Sequence, residues 1–86
     1  MELITSKIVA EKLTSYLHHE LNLPELVDWA EQVMMDSDFE TKNYEAIRNV
    51  VSRIGVADVK AFGLMWEDFE KFFEQLGYSV RIEVVA

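Results

Sequence analysis

The chain has no cysteine, a single proline, three glycines and half as many basic residues as acidic ones. Lack of cysteine excludes disulfides, thiolate metal sites and a cysteine nucleophile. No apolar run approaches the roughly 18 residues of a transmembrane helix, so no membrane span is expected. Glu2 stands beside Met1, and Lys7 and Glu11 interrupt the first apolar stretch. The start therefore lacks the form of a secretory signal, and a cytoplasmic location is the default expectation. Gly55, Gly63 and Gly77 each follow a helical pattern and are read as helix stops. None remains to build a flexible loop around a phosphate, and no cofactor is expected.

Bases are scarce in one place above all. Between Glu20 and Glu40 lie Glu20, Glu25, Asp28, Glu31, Asp36, Asp38 and Glu40, with no Lys or Arg among them. Those seven acids supply most of the formal charge of −8. A field of this sign repels phosphate backbones and attracts basic surfaces. The segment is read first as a solvated face and second as a docking surface for a basic protein. A nucleic-acid partner is not expected.

What is present is a chain able to fold. Its 86 residues suit one domain spanning 1–86, and 50% apolar with 12% aromatic residues exceeds what a disordered segment carries. A first helix is expected over 6–19, with Val9, Leu13, Tyr16 and Leu17 on one face. Thr5 or Ser6 would cap it, and Ile4 is placed for a hydrophobic staple. A second helix begins near Pro24, where Asn22 and Glu25 have capping-box spacing. Leu26, Ala30, Val33 and Met34 form its stripe with Trp29 on the flank, and Asp36-Ser37-Asp38 ends it.

The third helix, over 42–54, has the cleanest stripe: Tyr44, Ile47, Val50, Val51 and Ile54. Gly55 follows as a left-handed stop. A short helical turn over 57–62 precedes Gly63. The fourth helix covers 66–76, with Met65, Phe69, Phe72, Phe73 and Leu76 inward. Glu67 and Asp68 suit its first turn, but Met65 occupies the place of a cap. From residue 78 to residue 86 the period changes to two: Tyr78, Val80, Ile82 and Val84 alternate with Ser79, Arg81, Glu83 and Val85. That is the pattern of a half-buried strand. A lone strand leaves its ladder groups unpaired, so it is expected to pair with residues 1–4 or with the tail of a second copy.

The expected fold is thus mainly α: a compact array of four helices plus a short helical turn, with a C-terminal β-strand as a minor α+β element.

Candidate chemistry is thin. Asp36-Ser37-Asp38-Phe39-Glu40 opens like a calcium loop, but Thr41 stands where the loop needs glycine and Ile47 where it needs glutamate. It is read instead as a helix–helix turn in which Asp38 or Thr41 caps the third helix. Glu25, Asp28 and Glu31 line one helix edge without the Glu-x-x-His partners of a carboxylate metal site. His18 and His19 are neighbours about 100° apart on a helix, a poor arrangement for chelation. None of the five serines lies in a nucleophile elbow or a Ser-x-x-Lys arrangement. An enzyme is not expected. The last two helices could pass for a helix-turn-helix, but Glu67, Asp68, Glu70 and Glu74 against Lys71 would be repelled by DNA.

Two functional classes follow. One is a non-catalytic interaction or regulatory module working through self-association as a homodimer. The other is an acidic neutraliser, of antitoxin or immunity type, that masks a basic protein partner. The residues expected to carry partner binding are Trp66, Tyr78, Val80, Ile82 and Val84 on the apolar side. Glu25, Asp28 and Glu31 are their acidic counterparts.

Overall fold

The computed structural model describes residues 3–57 and 64–78. Their order is β1 (Leu3–Ile4), α1 (Ser6–Leu17), α2 (Leu23–Asp36), β2 (Asp38–Phe39), α3 (Tyr44–Ile54) and α4 (Trp66–Gln75). The molecule is mainly helical, as the periodicities predict. The expected strand at 78–86 lies outside the described residues beyond Tyr78, as do Val80, Ile82 and Val84. The expected helical turn over 57–62 and Gly63 lie outside them too, apart from buried Ala57.

A small sheet sits where a helix–helix turn was expected. β1 and β2 pair in parallel, Leu3 opposite Asp38 and Ile4 opposite Phe39, and the Glu40 N–H continues the ladder to the Ile4 carbonyl at 3.0 Å. Parallel strands need a long crossover, which α1 and α2 together provide. Asp38 is therefore a strand residue and caps nothing. Thr41 is not the cap of α3 either. That position falls to Asn43, in the left-handed region at φ 63°, with no hydrogen bond from its side chain.

α1 starts as the sequence predicts, with the Thr5 hydroxyl accepting the Ile8 N–H at 3.2 Å. The Glu40 carboxylate accepts the Ser6 N–H at 3.1 Å. The residue that follows β2 thus sits at the positive end of the α1 dipole. The helix stops at Leu17, earlier than expected, in a Schellman turn. His19 and Glu20 donate their N–H groups to the carbonyls of Tyr16 and Ser15 at 3.1 and 2.9 Å.

α2 has the complete capping box that its spacing predicts, Glu25 N–H to Asn22 Oδ1 at 2.9 Å and Asn22 N–H to Glu25 Oε1 at 3.1 Å. Its buried face is Leu26, Val27, Ala30 and Val33. Val27 takes the place expected for Met34, which is 37% exposed. The inward face is centred closer to the N-terminal end because the C-terminal end of α2 runs into β2.

α3 is the centre of the fold, packed against α1, α2, α4 and β2. Ile47, Val50, Val51 and Ile54 are fully buried, each contributing about 1.5–3 kcal/mol relative to exposure. Tyr44, at the end of the stripe, is 43% exposed. Gly55 is right-handed, at φ −60° and ψ −17°, not the left-handed stop expected. The chain continues in a turn there, the Ala57 N–H reaching the Ile54 carbonyl at 3.0 Å.

α4 buries Phe69, Phe72 and Phe73, with Leu76 beyond its end. Phe69 stacks on Tyr16 of α1 at 5.7 Å between ring centroids. Met65 does not join the core but is 65% exposed. It occupies the cap position without capping through its side chain. Asp68 fills that role from inside the helix, accepting the Met65 N–H at 2.8 Å. At the far end Gly77, at φ 93°, closes a second Schellman turn, with the Tyr78 N–H bonded to the Phe73 carbonyl at 2.8 Å.

Candidate interaction surfaces

Trp66 opens α4 and is 37% exposed beside Met65. The buried face of α4 is complete without it, so its indole is left at the surface. Tyr78 lies past the other end of this ten-residue helix, about 15 Å away by helical rise. It is exposed and shares a shallow cleft of about 330 Å³ with Lys7, Ala10, Glu11, Thr14 and Phe73. The two aromatic candidates are thus separate places.

The three acids of α2 form a third place. Glu25, Asp28 and Glu31 are exposed. Glu25 has a structural duty in the capping box. Glu31 lies over the end of α3, its Cγ 4.0 Å from where a Cβ on Gly55 would be. Trp29, on the flank of α2, is partly buried against the core, with the Lys12 ammonium 5.8 Å from its ring centroid. It faces its own molecule.

A fourth place had no counterpart among the residues singled out for partner binding. The C-terminal end of α2 and β2 face α3 across a cleft of about 420 Å³ lined by Met34, Ser37, Asp38, Phe39, Tyr44 and Arg48. Phe39 meets Tyr44 edge-on, centroids 6.0 Å apart at 71°. The Ser52 hydroxyl contacts the Met34 sulfur at 3.8 Å. Asp38 and Arg48 are exposed on opposite walls. The available signal was that Met34 and Tyr44 each end a helical stripe, where a stripe runs out of neighbours.

Among the described residues, no group of three or more His, Asp or Glu side chains could hold a metal ion. No helix among them is long and apolar enough to cross a membrane. His18 and His19 are both exposed, at the turn that ends α1. Compared with protein-family models, curated proteins and solved structures, the chain matches none.

Proposed function

We propose that this chain is a cytoplasmic, non-catalytic interaction or regulatory module that works through self-association. One observation carries the proposal: large apolar side chains stand at the surface in groups, Met65 with Trp66 and Met34 with Tyr44, outside a closed core. Grouped exposure of aromatic and thioether side chains is a feature of protein–protein contacts. The alternating tail with Val80, Ile82 and Val84 supports the same reading from the sequence. Size-exclusion chromatography with light scattering at micromolar concentration tests it. A homodimer has twice the chain mass of 10.0 kDa; elution at the single-chain mass at every concentration would refute it.

A second reading has its own support, since six of the seven acids between Glu20 and Glu40 are exposed and Glu40 is partly so. In it the surface of Glu25, Asp28 and Glu31 neutralises a basic protein partner. Such binding weakens steeply as salt rises, whereas apolar docking does not. An affinity pull-down from the native host at low and high salt separates the two.

A further inference from the structure

Resting on the self-association proposed above, we infer that the cleft between the α2–β2 wall and α3 is the contact surface, and that its occupant is a second copy of this chain. The cleft gathers Met34, Phe39, Tyr44 and Arg48, and methionine, aromatic residues and arginine are the types enriched at interface centres. Among the described residues Arg48 has no hydrogen-bond or ion-pair partner. It is a cation beside Met34, Phe39 and Tyr44 in a largely polar cleft.

Charge placement selects a second copy. Asp38 is on the β2 wall and Arg48 on the α3 wall of one cleft. A two-fold axis running along the cleft brings each wall against the opposite wall of the other copy. Asp38 then meets Arg48 of the second copy, and Arg48 meets its Asp38, so both pairs form in one symmetric contact. A dimer contact of ordinary size covers about 800 Å² per copy. The contact therefore extends past the residues that line the cleft.

Charge exchange between copies tests this. Asp38→Arg and Arg48→Asp are made separately, helical content is checked by circular dichroism, and dimerisation of the full chain is measured for each and for their equimolar mixture. Each variant alone sets like charges opposite each other twice and weakens dimerisation about tenfold or more. In the mixture both pairs are again opposite in sign, so a heterodimer recovers the lost affinity. A pairing inside one copy gives no such recovery on mixing. Tyr44→Ala provides a second route that leaves every charge in place, with a similar loss expected.

If the unmodified chain dimerises while either charge variant or Tyr44→Ala keeps full affinity, the cleft is not the contact and self-association survives. A mixture no tighter than its components overturns the inference in the same way. An unmodified chain that stays monomeric overturns both.

Discussion

His19 ends α1 in the left-handed region, at φ 63°, a conformation usually given to glycine. For a side chain with a Cβ this costs about 1–2 kcal/mol. Glycine relieves it, at the expense of a more flexible unfolded chain. His19→Gly should therefore raise stability by about 0.5–1 kcal/mol, read as a higher urea midpoint at unchanged slope. A lower midpoint would mean that the imidazole makes a contribution the backbone geometry hides. Ser6 offers a second residue-level test, because its hydroxyl oxygen is buried without a hydrogen-bond partner among the described residues. Removing an unsatisfied polar atom leaves no orphan behind, so Ser6→Ala should be neutral or stabilising. Thr5→Ala next to it removes a cap and should cost about 1 kcal/mol.

At the scale of elements, two glycines that look alike in sequence behave differently. Gly77 is left-handed while Gly55 is right-handed, with its nearest prospective Cβ contact at an ordinary 3.5 Å. Gly55→Ala should stabilise by about 0.4–1 kcal/mol, and Gly77→Ala should destabilise by more than that. Equal effects of the two in thermal melts would contradict the assignment. Glu40 ties elements together, its N–H in the sheet ladder and its carboxylate at the start of α1. Glu40→Ala should cost about 1–2 kcal/mol through the lost hydrogen bond and the lost charge at the helix N-terminus.

These elements also show what local pattern can and cannot reveal. The capping box of Asn22 and Glu25 and the stripe Ile47, Val50, Val51 and Ile54 were legible because each depends on neighbours within one turn or on a fixed period. The sheet was not. Asp38 and Phe39 are too short a run to show alternation, and their partners Leu3 and Ile4 lie more than thirty positions away. The left-handed turn at His19 was equally hidden, since nothing in a histidine announces it. The exposed cleft was missed for a related reason. A period marks Met34 and Tyr44 as apolar-faced, but only the arrangement of α2, β2 and α3 decides whether that face is covered.

At the scale of the whole molecule, the charge of −8 makes two copies repel at long range, a repulsion that salt screens. Salt eases that repulsion while it weakens the two Asp38–Arg48 pairs, so dimerisation through the cleft should change little as salt rises. Capture of a basic partner by the α2 acids should fade over the same range. Titrating salt thus separates the two functional readings even while the basic partner is unidentified.

The most direct measurement is sedimentation equilibrium of the full chain across a dilution series from high to low micromolar concentration. Self-association predicts a mass rising with concentration from 10.0 kDa towards twice that value, described by a single monomer–dimer constant. A mass that stays at the single-chain value throughout the series would contradict it.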